Sequence, residues 1–402
     1  MKLLIVSASL PSPQWGASAR NYYLLKALAQ YHTVSLLSVL NTADKNAPDD
    51  LHRLKAFTQS VQTVPFQVQQ AKRARQLLSV ARRRSYLLHL FLLPEMQAAL
   101  DAMLAREQYD LVFFESVLMA GYRLPEKMNT VIDQHNLEFE ILQRTFDQGK
   151  PSLRTWYNRQ EYGLLKRGEL ERCRKANLVL VTSEREHQVL QKLLPKQRIG
   201  VVPNGVDLTR FAGESLVPEA PHQIVFTGTM DYHPNTQAAL FFADRCWPLI
   251  RQQIPDAAWQ IVGRNPPPEI QRLGHLPGVH VTGEVPDVRP YLASAALAIA
   301  PLLIGGGTRI KILEAFAMRK AVVSTHLGCE GIAVEPGKHL VVQDQPEELA
   351  GAVVKLLQQP AQRAALGAAG RALVEAAYSW EQSGAHLLRA LETSFTNQGV
   401  QV

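Results

Sequence analysis

The strongest constraint in this chain is an alternation that occurs in both halves of its 402 residues: short runs rich in Val, Ile and Leu, each followed by a longer helical pattern. The first half holds "KLLIVSAS", "TVSLLSV", "VQTVPF", "DLVFFES", "TVIDQHN", "NLVLVTS" and "RIGVVPNG"; the second holds "HQIVFTG", "AWQIVG", "VHVTGE", "LAIAPLL", "AVVST" and "HLVVQD". Near-continuous apolar runs suit strands buried on both faces, and helices between them supply the crossovers that parallel neighbours require. The pattern therefore predicts an α/β fold built twice. Its length agrees, since 402 residues exceed what one hydrophobic core serves.

The boundary is predicted where periodicity fails. "PNGVDLTRFAGESLVPEAPH" carries Asn-Gly and three prolines, which places a linker at 206–222 between domains at 1–205 and 223–377. The remainder, 378–402, reads as a helix and tail whose Leu387, Leu388 and Leu391 form an apolar face in need of a surface to pack on.

With 46% hydrophobic and 20% charged residues, the chain is expected to fold almost throughout. Cys173, Cys246 and Cys329 are far apart and form no C-x-x-C pair, which argues against a disulfide framework or zinc site and for a reducing cytoplasm. "MKLLIVSASLPSPQWG" reads as a first strand rather than a signal peptide, and "YLLHLFLL" (Tyr86 to Leu93) is far too short to span a membrane. Net charge is +7, and Lys72 to Arg84 carries six cations with no acid. A solvated helix face and peripheral contact with an anionic membrane through Lys72 to Leu93 both fit this stretch; nucleic acid fits it least. The expected location is cytoplasmic, with the inner face of the cell membrane as the candidate contact.

Open parallel sheets bind ligands beyond the carboxyl ends of their strands. That rule selects Gly16 with Arg20, Glu115 with Ser116, His135 with Asn136, Ser183 with Glu184, and Asn204 with Gly205. In the second half it selects Gly228 with Thr229, Gly263 with Arg264, Gly283 with Glu284, and "GGGTRIKILEAFA", Gly305 to Ala317. In this last stretch Gly305, Gly306 and Gly307 expose backbone N–H groups before a helix whose N-cap is expected at Thr308, an anion-binding arrangement. Cations are unfavourable at a helix start, so Arg309 and Lys311 imply a bound anion such as a diphosphate, and Glu314 one turn on suits the hydroxyls of a ribose. The competing reading is a tight turn with a Lys–Glu surface pair. His135 could bond a sugar hydroxyl or polarise a reacting oxygen, whereas Asn136 could simply cap the next helix with Glu138 in its first turn. No strand is followed by G-x-G-x-x-G, and G-x-x-x-x-G-K-[ST], H-E-x-x-H and G-x-S-x-G are missing, which removes dinucleotide oxidoreductase, NTPase, zinc protease and serine hydrolase readings.

The order of "DQHNLE", "VVPNGVD", "IVFTGTMDYHPNTQAALFF", "GGGTRIKILEAFAMRKAVVST" and "YSW" resembles the glycosyltransferase group 1 family, also called family 4, and within it bacterial sugar transferases of exopolysaccharide biosynthesis. The resemblance covers nearly the whole chain. It implies the GT-B fold: two Rossmann-like domains with parallel sheets facing across a cleft, and a C-terminal helix crossing back to the N-terminal domain. It implies a retaining transferase, with no metal or cofactor, that moves a sugar from a nucleotide-diphosphate donor to a saccharide or lipid-linked acceptor. By the same resemblance His135, Arg309, Lys311 and Glu314 are the catalytic candidates. The donor side would comprise Gly16, Asn204, Gly228, Thr229, Gly263, Arg264, Gly305, Gly306, Gly307, Thr308, Arg309, Lys311 and Glu314, and the acceptor side Gly16, Arg20, His135 and Asn136.

Two departures stand out. The family often carries glutamates eight positions apart, and the first of these is Gly306 here. An Arg and a Lys commonly follow the first strand of the second domain, but "GTMDYHPN" has neither, so Arg309 and Lys311 are expected to take over the diphosphate. A sugar-nucleotide epimerase of the same fold and a two-lobed sugar-binding protein are the alternatives, separated by product analysis without acceptor and by donor hydrolysis.

Overall fold

The structure is a computed structural model and describes residues 1–14, 16–66, 72–147, 152–211 and 217–395, with the side chains of residues 17, 72–75 and 77 outside that description. The chain forms two compact units: Met1–Pro203 with the chain from Ser383 onward, and Asn204–Gln382.

The first unit is built on β1 (Lys2–Ser7), β2 (Thr33–Asn41), β3 (Ser60–Phe66), β4 (Leu111–Phe114), β5 (Asn129–Gln134), β6 (Leu178–Val181) and β7 (Ile199–Val201). They pair in the order β3-β2-β1-β4-β5-β6-β7, all parallel. Alternate residues of each strand feed two cores. Leu4, Val6, Val112 and Val179 join Met96, Leu100 and Leu165 on one face. Leu3, Ile5, Leu111 and Leu178 join Leu24, Leu28, Leu387, Leu391 and Phe395 on the other. Period-2 geometry divides one apolar run between both faces, so the runs look continuous in sequence. Leu387 and Leu391 place the final helix, Trp380–Phe395, on the first unit's core, the surface that its apolar stripe requires.

The second unit contains β8 (Ala220–Thr227), β9 (Ala258–Val262), β10 (Val279–Gly283), β11 (Ala295–Ala300), β12 (Ala321–Ser324) and β13 (Val341–Val342), ordered β10-β9-β8-β11-β12-β13 and again parallel. The order reverses between β1 and β4 in one sheet and between β8 and β11 in the other. Chain segments leaving these strand pairs diverge to opposite faces and open a crevice at their carboxyl ends.

Two expectations change. Residues 206–222 are not a free linker: the Val206 N–H donates to the Tyr378 carbonyl at 2.8 Å, Phe211 is buried, and β8 already begins at Ala220. Residues 212–216 lie outside the described residues. Gly205 sits where an added Cβ would lie 2.7 Å from the Trp380 nitrogen, so this glycine allows two backbone segments to touch. Part of the apolar run Tyr86–Leu93 packs on the first unit's core. Leu88 and Leu93 are buried and Leu87 and Phe91 pack against the same core, while Leu78, Arg82, Arg83, Arg84 and His89 are exposed.

Candidate functional site

In the second unit the crevice between β8 and β11 is framed by the loop after Thr227 and by the glycine loop before the helix Ile310–Ala317. Gly228 (φ +152°) and Gly263 (φ +154°) follow β8 and β9, and a Cβ on Gly263 would lie 1.7 Å from the Gly228 carbonyl oxygen. Only glycine permits this approach. The two loops are laced together: the Gly228 N–H donates to Val262 and the Met230 N–H to Arg264, at 3.0 and 2.9 Å.

Lys311 reaches into this corner. Its Nζ donates to Asn235 Oδ1 at 2.7 Å, lies 4.0 Å from the Phe226 ring centroid, and would be 3.0 Å from a Cβ on Gly228. Asn235 is itself fixed by donating to the Thr229 carbonyl at 2.9 Å. Burial and the neighbouring Arg309 push the Lys311 ammonium down to about 7, with Glu314 pulling the other way. A cation desolvated at a strand end, beside bare glycine backbone, suits an anion, whose arrival would restore its charge. Glu314, one turn later, is pushed up to about 7 by burial against the pull of Arg210 and Lys311.

The two cations of "TRIK" therefore separate. Thr308 does not cap the helix: Arg309 is the preceding residue, at φ −85° and ψ 95°, without a side-chain cap. Thr308 is buried and its carbonyl accepts from Asn204 Nδ2 at 3.2 Å. Arg309 is 8% exposed and donates to the carbonyls of Gly306 and Gly307 and, at 3.4 Å, of Leu327. Its guanidinium holds the glycine loop in shape instead of pointing out of it. Side chains that could have blocked this inward turn are absent from the glycines, whose carbonyls supply the acceptors. Gly305 (φ +142°) and Gly307 (φ +67°) need glycine; Gly306 does not adopt a positive φ.

In the first unit the corresponding corner is ionic. Arg20 and Asp133 are each 1% exposed and form a bidentate pair, Nε to Oδ2 at 2.8 Å and Nη2 to Oδ1 at 2.6 Å, with Arg20 Nη1 on the Val202 carbonyl at 2.8 Å. Arg20 is thus committed to the protein interior rather than exposed to an acceptor. Burial alone would raise the Asp133 carboxyl, but Arg20 and His135 outweigh it and hold it near 2. His135 Nε2 lies 3.4 Å from Asp133 Oδ2 and 3.9 Å from Glu115 Oε2. Burial opposes its charge, and the two carboxylates overcome that and raise its pKa. Gly16 opens the helix Gly16–Ala29 at φ +40° with empty space where a Cβ would point.

Asn136 is not the main cap of the next helix, Glu138–Asp147. The Glu138 and Phe139 N–H groups donate to the carboxylate of Glu169, at 3.2 and 3.1 Å, from the helix Leu153–Lys175. Ser183 caps the helix Glu184–Leu193 in a box with Glu186, a structural arrangement. Among the described residues no group of three or more His, Cys, Asp or Glu is placed to hold a metal ion. Sequence reasoning missed Asn235, Arg210 and the pairing of Glu115 with His135. Asn235 could have been suspected from "HPN" at the start of the helix after β8, whereas Arg210 was hidden in the stretch read as linker.

Comparison with known proteins gives the family and the fold. Residues 16–210 match the family model described as Glycosyltransferase Family 4, and residues 221–359 match Glycosyl transferases group 1. A GDP-mannose-dependent monoacylated alpha-(1-6)-phosphatidylinositol monomannoside mannosyltransferase from Corynebacterium glutamicum is 36% identical over 117 residues. That match takes in 27% of this chain and spans 31% of the relative's length. Among solved structures, sucrose-phosphate synthase from Thermosynechococcus elongatus gives a TM-score of 0.71 at 17% identity, over 99% of this chain and 100% of that one. HepE from Anabaena in complex with UDP-glucose gives 0.66 at 16% identity, over 98% and 100%. WaaG, a glycosyltransferase involved in lipopolysaccharide biosynthesis, gives 0.62 at 15%, over 97% and 98%. These structures share the GT-B fold with this chain.

Proposed function

Because the chain belongs to the group 1, or family 4, glycosyltransferases, we propose that it transfers a sugar, with retention of configuration, from a nucleotide-diphosphate donor to a hydroxyl of a saccharide or lipid-linked acceptor. The carrying observation is Lys311: a half-buried ammonium held by Asn235 at the carboxyl end of β8, beside backbone that only glycine allows. In this reading it meets the charge that builds on the diphosphate as the glycosidic bond breaks, an electrostatic contribution made without moving the protein at the moment of reaction. Glu314 faces the ribose, and the Gly305–Thr308 backbone lies along the diphosphate and sugar. The first unit supplies the acceptor side through Gly16 and His135. No metal or cofactor is invoked.

GDP-mannose and UDP-glucose are the first donors to try, from the names of the mannosyltransferase and HepE, and a cell-surface glycan or glycolipid is the proposed acceptor class. Arg82, Arg83 and Arg84 provide the proposed contact with an anionic membrane. Thermal shift against UDP-, GDP- and ADP-sugars tests donor binding, since a ligand at 100 times its dissociation constant adds about 2.7 kcal/mol. No stabilisation by any of them, and no donor hydrolysis, would sink the reading. Salt-insensitive failure to co-sediment with phosphatidylserine vesicles would remove the membrane contact alone.

A further inference from the structure

Glu115 stands at the carboxyl end of β4, on the switch point of the first sheet. Its Oε1 accepts from the Ala8 N–H at 3.0 Å, which ties the end of β4 to the loop after β1. Its Oε2 is buried and has no hydrogen-bond partner, and the same is true of His135 Nε2, 3.9 Å away. Of the two carboxylates that face the imidazole, Asp133 is nearer at 3.4 Å and takes Arg20 on both oxygens, whereas Glu115 Oε2 accepts from no donor. An anchoring role for Glu115 explains Oε1 and leaves Oε2 unexplained, a costly arrangement for a buried charged group.

We propose that Glu115 is a substrate-positioning residue that works with His135 to hold one sugar hydroxyl, the hydroxyl donating to Glu115 Oε2 and accepting from His135 Nε2–H. The separation supports this: 3.9 Å is too long for a direct hydrogen bond, and one oxygen about 2.8 Å from each atom bridges it. The charges support it too. Burial, with a smaller push from Asp133, raises the Glu115 carboxyl to about 7, while His135, the Ala8 amide and Arg20 pull it down. Asp133 and Glu115 raise the imidazole against its burial, so Glu115 and His135 are electrostatically coupled. Arg20 on its helix, Asp133 on β5 and Glu138 in the following helix are the other charged groups acting on this pair. The hydroxyl's identity as a sugar's rests on the transferase reading; the coupling of Glu115 to His135 does not.

The test uses Glu115→Gln, which keeps an oxygen for the Ala8 N–H and removes the charge, with Glu115→Asp as the conservative partner. In 15N-histidine-labelled full-length protein, with His135→Gln for assignment, Glu115→Gln should lower the His135 pKa; no movement overturns the pairing. In calorimetry, Glu115→Gln should weaken UDP-glucose or GDP-mannose about tenfold while UDP or GDP binds as in the parent, if the hydroxyl belongs to the donor sugar. If it belongs to the acceptor, both ligands bind normally and the acceptor KM rises instead. Unchanged donor affinity, acceptor KM and pH profile together would overturn the clamp. Failure of the parent protein to bind any nucleotide would instead refute the transferase reading, with the histidine titration still deciding the pair.

Discussion

Lys311 Nζ donates to Asn235 Oδ1 at 2.7 Å, across the switch point of the second sheet, and so joins the helix after β11 to the first turn of the helix His233–Phe241 after β8. The pair places a positive charge beside Gly228, although no cation occurs between Gly228 and Asn235 in the sequence.

Lys311→Met should weaken UDP or GDP about 10- to 100-fold, the worth of charge-assisted hydrogen bonds to phosphate, and Asn235→Ala should weaken it less. Isothermal titration in each variant checks the order. With Lys311 depressed to about 7 in the free protein, ligand binding at pH 8 should take up a proton, and the uptake should vanish by pH 6. Buffers of different ionisation enthalpy read this directly.

The same shift has a stability sign. The folded Lys311 pKa lies below the ordinary 10.5, so its contribution is present above that value and lost as pH falls through about 7. Ligand-free Lys311→Met should therefore gain stability over the parent as pH is lowered from 10.5 to 7. Paired urea melts across that range decide it; a constant difference would contradict the desolvated ammonium.

Arg309→Ala should act on the glycine loop before it acts on phosphate. Loss of a guanidinium from three carbonyls predicts about 1.5–3 kcal/mol less stability, and Lys in its place should not restore it because the fork geometry is gone. A variant of full stability with only donor affinity lost would return Arg309 to the phosphate.

Arg20→Ala should cost about 3–5 kcal/mol by stranding the Asp133 charge, and removing both charges with Leu at each position should recover much of it. Asp133, held near 2, contributes stability that is present above its ordinary 3.8 and lost as pH falls through about 2. The parent's acid limb should therefore flatten below pH 4 in the double variant, as followed by circular dichroism.

Gly306→Glu should fold normally, because this position has no positive φ, whereas Gly307→Ala at φ +67° should cost about 1 kcal/mol or more. The first variant should change discrimination among donor sugars more than affinity for the bare nucleotide. Equal effects on UDP and UDP-glucose would contradict a sugar contact there.

The sequence by itself determined the doubled α/β pattern, the parallel sheets and the strand ends where ligands belong, because continuous apolar runs and helical spacing are local consequences of burial. It also brought out Gly305–Glu314 as a candidate anion site, since cations at a glycine-led helix start conflict locally. Only the tertiary packing shows which of its cations reaches the corner beside Gly228. Arg309 and Lys311 are two residues apart, yet one turns back to its own glycine carbonyls and the other is drawn to Asn235, 76 positions earlier in the chain. The same is true of Arg20, sealed by Asp133 from 113 positions away, and of Glu115 beside His135. A side chain's charge is written in the sequence, but its partner and the water it loses depend on which distant strand ends the sheet order makes neighbours.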